Sequence, residues 1–324
     1  MNNDIYASVN KTLLQRRERA VYEENARKME VYSKVPQVKK ADEKLSRLVF
    51  DVFRRIQNTQ NYDEGAQKLV HDFSEIELFK KRLLAENGFR PDYLDSLNIC
   101  KKCGDTGVYE GKRCECYNKL LTDELMRRSN MSEALKSQTF DKFSLDFYSN
   151  KPYKNLPRTP RENMNDVLKI VRKFAAGFGK PKKDEKNSLL FYGSPGLGKT
   201  FLSSAAANEV MRRGYTVIYE SAGNIFSELS DNQFGRGGSS AKQFIDVDLL
   251  IIDDLGTEFI NSFTEAELFR IINSRILSEK SMIISTNLLL NDIKSTYSER
   301  ILSRLLGNFE AFRFFGEDIR LKNL

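Results

Sequence analysis

The chain has 324 residues, 30% of them charged and 40% hydrophobic, and a formal net charge of +7, an excess that fits either contact with a polyanion or solubility alone. That length exceeds what a single hydrophobic core organises, so two or three domains are expected. No stretch approaches the roughly 18 apolar residues of a membrane span, and the opening MNNDIYASVNK lacks the apolar centre of a signal peptide, so the reading is a cytoplasmic protein with no membrane partner.

Residues 9–34 read as a highly charged helix. Its apolar positions (Leu13, Leu14, Ala20, Val21, Ala26, Met29, Val31) are sparse, a face weakly buried if it packed only within its own chain. Two further helical runs, residues 41–58 and 63–86, carry fuller stripes such as Leu45, Leu48, Val49, Val52, Phe53 and Ile56. Residues 1–98 are therefore expected to form a small helical domain, either a self-contained bundle or a docking surface for a partner protein. His71, the one histidine, lies on the third run beside Val70 and lacks the partners that metal binding or catalysis requires.

All four cysteines fall inside ICKKCGDTGVYEGKRCECY, as Cys100-x-x-Cys103, ten residues, then Cys114-x-Cys116. Two close pairs joined by a hairpin-like loop with Gly104, Gly107 and Gly111 let four thiolates converge on one Zn²⁺. An iron–sulfur cluster or free thiols are the alternatives, and a cytosolic setting disfavours disulfides. With no open ligand position implied, the site reads as structural. Lys101, Lys102, Lys112 and Arg113 flank it, either as a solvated rim or as a face toward single-stranded nucleic acid. Residues 99–137 thus comprise the cysteine module and a helical link over 117–136.

The aromatic segment QTFDKFSLDFY (138–148) precedes a loop or hinge over 149–163, which holds three of the seven prolines. A helix over 165–178 and a basic turn, GKPKKDEKN, follow. Then comes LLFYGSPGLGKT, an apolar strand running into a phosphate-loop pattern, G-x-x-x-x-G-K-[ST], ahead of an Ala-rich helix that stops at Gly214. The run Gly193, Ser194, Pro195, Gly196, Leu197, Gly198, Lys199, Thr200 and Phe201 is expected to hold a nucleotide. The glycines aim backbone N–H groups at phosphates, Lys199 reaches the β- and γ-phosphates, and the Thr200 hydroxyl ligates Mg²⁺.

Beyond a strand over 215–220 and a helix over 222–229, FGRGGSSAKQF reads as a mobile basic loop, either plain or in weak contact with DNA through Arg236 and Lys242. DLLIIDD gives a fully buried strand ending in two carboxylates, Asp253 for the Mg²⁺ shell and Asp254 to polarise the attacking water. A helix follows over 263–279. MIISTN gives another buried strand with a polar tip at Thr286 and Asn287, the latter placed to touch the γ-phosphate or the water. In SERILSRLLGNF, Arg300 and Arg304 are four residues apart and share one helix face.

These motifs, GSPGLGKT, LLIIDDLG, IISTN and SERILSRLLG, resemble the Walker A, Walker B, sensor 1 and arginine-finger segments of AAA+ ATPases, in the branch of DnaC/DnaI helicase loaders and IstB transposition ATPases. The ending FRFFGEDIR resembles that branch's short terminus without a separate lid domain. The resemblance runs from about Thr139 onward and implies an α/β fold: an AAA+ P-loop core with a parallel sheet flanked by helices over 138–324, preceded by the helical domain and cysteine knuckle. Asp254 stands where the wider family usually has Glu. The resemblance further implies ATP hydrolysis, Arg300 or Arg304 completing a neighbouring subunit's site in an ATP-dependent self-assembly, and Arg320 on the γ-phosphate as a second sensor. A helical segment and cysteine knuckle ahead of such a core resemble the DnaI-type loaders, which implies a replicative DNA helicase and single-stranded DNA as partners. The alternative is an IstB-type ATPase that assembles on duplex DNA and directs a transposase; that type is generally shorter at the N-terminus and lacks the knuckle. A P-loop enzyme acting on a small molecule is disfavoured, as no substrate-type pocket residues stand out.

Overall fold

The computed structural model describes residues 2–56, 62–180 and 186–323. The end of the second predicted helix (57–58) and the centre of the basic turn (181–185) lie outside the described residues. The chain divides into two compact units, residues 10–116 and residues 117–324 with 1–9.

Three helices dominate the first unit: α1 (Asn2–Lys34) from residue 10 onward, α2 (Pro36–Ile56) and α3 (Tyr62–Glu86). α1 begins seven residues before the expected start at 9, with Asp4 in its first turn, where a carboxylate complements the helix dipole. Pro36 separates α1 from α2. A proline donates no N–H and disfavours helix in the residue before it, yet suits the first position of a new helix. Val31, Val35, Val38 and Leu84 form one small core, with Phe89 and Tyr93 against it; Ala41, Leu45 and Ile76 form another. Asp42 ties the helices together, accepting from the Tyr32 hydroxyl at 2.7 Å and pairing with Lys80 Nζ at 2.7 Å. Leu14, Val21 and Met29 remain exposed, and so does His71. The unit ends in a hairpin of β1 (Val108–Tyr109) and β2 (Lys112–Arg113), turned by Glu110 and Gly111, both with φ above zero as a two-residue I′ turn requires.

In the second unit, α4 (Glu115–Arg128) and α5 (Glu133–Lys136) lead to two 3-10 turns and then α6 (Pro160–Gly177). α6 starts five residues earlier than the sequence reading placed it, inside the expected proline loop. Thr159 accepts from Glu162 N–H, the Glu162 carboxylate accepts from Thr159 N–H, and Pro160 opens the helix, a capping box that converts the last loop proline into a start signal.

The remaining strands are β3 (Ser188–Gly193), β4 (Val217–Ser221), β5 (Leu249–Leu255), β6 (Ser281–Thr286) and β7 (Phe309–Phe314). They pair in parallel, in the order β4-β5-β6-β3-β7. Helices α7 (Lys199–Arg212), α8 (Ala222–Gln233), α9 (Ala241–Asp246), α10 (Ser262–Leu277), α11 (Leu290–Thr296) and α12 (Glu299–Asn308) connect them. β3, β5 and β6 are buried nearly throughout, as continuous apolar runs covered on both faces must be. β7 was not expected: FEAFRF carries no regular alternation, with Glu310 and Arg313 three residues apart, and it forms an edge strand with only its end residues, Phe309 and Phe314, buried. Because β6 lies between β3 and β5, the carboxyl ends of those three strands are neighbours, and polar residues distant in sequence meet there. Among the described residues, no helix is long and apolar enough to cross a membrane.

Candidate functional site

The turn from β3 into α7 is built from three glycines in left-handed backbone. Gly193, Gly196 and Gly198 have φ of +118°, +68° and +86°. Each is also crowded: a Cβ would lie 2.2 Å from the Phe314 carbonyl oxygen at Gly193, 2.0 Å from the Asp318 carboxylate at Gly196 and 2.7 Å from the Tyr148 hydroxyl at Gly198. Only glycine meets both demands. Lys199 follows, buried, with Nζ donating at 2.8 Å to each of Gly193 O, Ser194 O and Asn287 Oδ1. Burial pulls its ammonium down to about 8, against the charges of Asp254 and Asp253.

Asp253 is buried at the end of β5 and is held from both neighbouring strands. Its Oδ2 accepts from the Tyr219 hydroxyl of β4 at 2.8 Å, and its Oδ1 from the Ser285 hydroxyl of β6. The Thr200 hydroxyl donates to the same Oδ1 at 3.4 Å. Burial and the Asp253 charge raise the Tyr219 phenol well above its ordinary value. Asp254 reaches the same site beside the lysine's partner: its Oδ1 accepts from Asn287 Nδ2 at 3.5 Å. Burial first, and the Asp253 charge second, push its carboxyl above the ordinary range against Lys199 and Arg320. Asn287 therefore links the lysine to the second aspartate. Thr286, the other half of the expected polar tip, does not face this site: it is buried and donates to Leu255 O at 2.6 Å.

The loop is fastened from two sides. Tyr148 donates to Leu197 O at 3.0 Å, and its ring stacks on Phe143, which meets Phe201 edge-on at 5.5 Å. The C-terminal segment crosses the loop: Ile319 N–H donates to Gly196 O at 3.0 Å, and Asp318 holds Arg320 through two side-chain nitrogens. Arg320 sits on Asp318, within electrostatic reach of Lys199 and Asp254. Behind the loop, buried Asn208 of α7 donates to the carbonyls of Leu135, Lys136 and Gln138 and anchors the entering link. Arg300 and Arg304 lie exposed on α12, Arg236 stacks over the Phe234 ring at 5.6 Å, and Lys242 is exposed on α9.

In the first unit the four cysteine sulfurs lie within 4.8 Å of one another, Cys100 to Cys114 at 3.8 Å and Cys103 to Cys116 at 3.4 Å. A tetrahedral thiolate site with bonds of about 2.3 Å spaces its sulfurs about 3.8 Å apart, so this donor set fits Zn²⁺. Fully buried Asp105 organises the first pair, its carboxylate accepting from Ile99 N–H at 2.7 Å and Cys100 N–H at 3.0 Å.

Ser285, Tyr219, Tyr148, Asp318 and Asp105 were not singled out from the sequence. Ser285 and Tyr219 had a signal, a polar atom inside a buried apolar strand; Tyr148 and Asp318 had none without the fold.

The profile of the family described as IstB-like ATP binding protein matches residues 180–324. The phage-like element PBSX protein XkdC of Bacillus subtilis (strain 168) is 27% identical over 228 residues, 66% of this chain and 80% of that protein. The replicative helicase loader DnaC of Escherichia coli (strain K12) is 31% identical over 126 residues, 37% of this chain, so the alignment spans about half (51%) of that relative. The crystal structure of the DnaC helicase loader superposes with a TM-score of 0.45 at 22% identity, over 57% of this chain and 100% of that one.

Proposed function

Since residues 180–324 belong to the IstB/DnaC-like family of AAA+ ATP-binding proteins, we propose that this chain is an ATP-hydrolysing switch that loads a replicative DNA helicase onto single-stranded DNA. The observation that carries the switch is the link from Lys199 through Asn287 to Asp254, which joins the phosphate-binding lysine to the carboxylate beside the attacking water. Lys199 exchanges its loop carbonyls for phosphate oxygens when ATP enters, and Asn287 is then free to orient the water that Asp254 polarises. Thr200 and Asp253 offer the hard oxygen donors that suit Mg²⁺, which when bound neutralises charge on the β- and γ-phosphates. Arg320 leaves Asp318 to meet the terminal phosphate from within the chain.

Arg300 and Arg304, exposed and four residues apart on α12, serve the site of a second copy, so assembly depends on ATP. Arg304→Ala is expected to bind ATP normally and lose DNA-stimulated turnover; normal turnover would reject that assignment. The helical residues 1–98 dock the helicase in the cytoplasm, the module over 99–137 holds Zn²⁺ through Cys100, Cys103, Cys114 and Cys116, and residues 138–324 are the ATPase. What supports the helicase as partner is the similarity to a protein named as a replicative helicase loader. The family description favours a second reading, an IstB-like ATPase acting with a transposase on duplex DNA. Co-purification of the full chain with the host's replicative helicase tests the choice. Stable binding supports the loader, and its absence together with ATP-dependent filaments on duplex DNA supports the transposition ATPase.

A further inference from the structure

Successive side chains of a β-strand point to opposite faces of its sheet. Two adjacent aspartates in β5 therefore cannot both address the phosphate loop while the strand stays regular. The pairing of β5 with β6 runs in step to Ile252 opposite Ile284 and resumes with Leu255 opposite Thr286. Asp253 and Asp254 on one strand are thus left against Ser285 alone on the other, a bulge of the kind that re-aims a side chain. Asp254 takes φ +53° within it, a left-handed conformation that a non-glycine residue keeps only when its surroundings enforce it.

Ser285 supplies that enforcement. Fully buried, it spans the bulge with one hydroxyl, which donates to Asp253 Oδ1 and accepts from Asp254 N–H at 3.0 Å. The result is that Asp253 faces Thr200 while Asp254 reaches Asn287. We propose that Ser285 is a positioning residue for ATP hydrolysis, its hydroxyl locking the bulge that brings both aspartates to one site. The inference rests on the reading of Asp254 as the group that polarises water.

The two carboxylates depend on this hydroxyl unequally. Asp253 keeps a second tether from Tyr219 at 2.8 Å, whereas the half-buried Asp254 N–H would lose this partner. A return to regular pairing would turn the Asp254 side chain toward the other face. Nucleotide affinity rests mainly on Lys199 and the loop backbone, which Ser285 does not touch in these contacts, and Asp253 stays held by Tyr219, so the effect falls on turnover more than on affinity.

The test uses the full chain with Ser285→Ala, Ser285→Thr and Asp254→Asn, measuring affinity for a fluorescent ATP analogue and single-turnover ATP hydrolysis. Displacing a catalytic group by about 1 Å costs about 100-fold in rate, so Ser285→Ala and Asp254→Asn should each slow hydrolysis by about 10- to 100-fold. Affinity should stay within about threefold, and Ser285→Thr, which keeps the hydroxyl, should recover the rate. If Ser285→Ala does not fold, Ser285→Cys, close in volume and a poor donor, takes its place against Ser285→Thr. Hydrolysis by Ser285→Ala at the unsubstituted rate overturns the proposal, as does equal slowing in the alanine and threonine variants, which would assign the effect to packing. Full activity in Asp254→Asn identifies the failure as that of the water-polarising reading, and the inference falls with it.

Discussion

The phosphate loop and the cysteine knuckle are both glycine-bearing turns that present several donors to one centre, yet opposite forces hold them. β3, which feeds the loop, is buried at nearly every position and flanked by two strands. All four residues of β1 and β2 are exposed. One site is a by-product of a packed sheet; the other has little apolar surface to hide, so a metal held by its four cysteines would carry its stability. Removing a ligand should therefore be local and severe in the knuckle, and local but structurally mild in the loop.

The knuckle gives the largest expected effect. Structural zinc sites derive roughly 10 kcal/mol or more of folding free energy from the metal, so a chelator, or Cys103→Ser, should unfold residues 99–116. Limited proteolysis should then cut within this segment while ATP binding and melting of the ATPase core stay unchanged. Protection of the segment after the metal has been removed would show that packing holds it after all.

Next comes Lys199→Ala, expected to weaken ATP binding by about 100-fold, the ~2–3 kcal/mol of a hydrogen bond to a charged partner. Calorimetric titration measures it. The melting temperature should hold, since the lysine's present partners are two loop carbonyls and Asn287. A collapse in stability would place the loop in the same class as the knuckle.

A smaller and graded effect follows from the lysine's charge. With its ammonium pulled down to about 8 by burial, Lys199 is mostly protonated below that pH and mostly neutral above it. Because phosphates bind the protonated form, ATP affinity should be flat below about pH 7 and fall by about tenfold per unit above 8, with proton uptake on binding. A flat affinity to pH 9.5 would contradict this.

The sequence made the donors legible and left their fasteners hidden, and the reason is separation along the chain. Lys199 and Thr200 lie in one motif, and the four cysteines within seventeen residues, from Cys100 to Cys116, so spacing alone suggests convergence. Tyr148 and Leu197 are 49 residues apart and meet only through tertiary packing, and Asp253 and Ser285 are 32 apart and meet only because β5 and β6 are neighbours in the sheet. The same limit applies to the fold. Buried strands announced themselves as apolar runs, while β7, half-exposed at the edge, is short and mixes apolar and charged residues without a clear period inside an aromatic tail. The start of α6 was legible as Thr159-Pro160-Arg161-Glu162, but three nearby prolines read more strongly as loop.

Tyr148 offers the finest test of whether packing alone shapes the phosphate loop. Its hydroxyl donates to Leu197 O and is also the atom that any side chain at Gly198 would meet, while its ring stacks on Phe143. Tyr148→Phe keeps the ring and deletes the one hydrogen bond, a net loss of about 1 kcal/mol. If the sheet and the Phe143 stack already fix the loop, that loss should appear in the melting temperature, a drop of a few degrees, with ATP affinity changed by less than about threefold. A fall in affinity near fivefold with no change in melting would mean that the hydroxyl shapes the loop itself. The loop would then resemble the knuckle more than the burial of β3 implies, held in its working form by one polar contact.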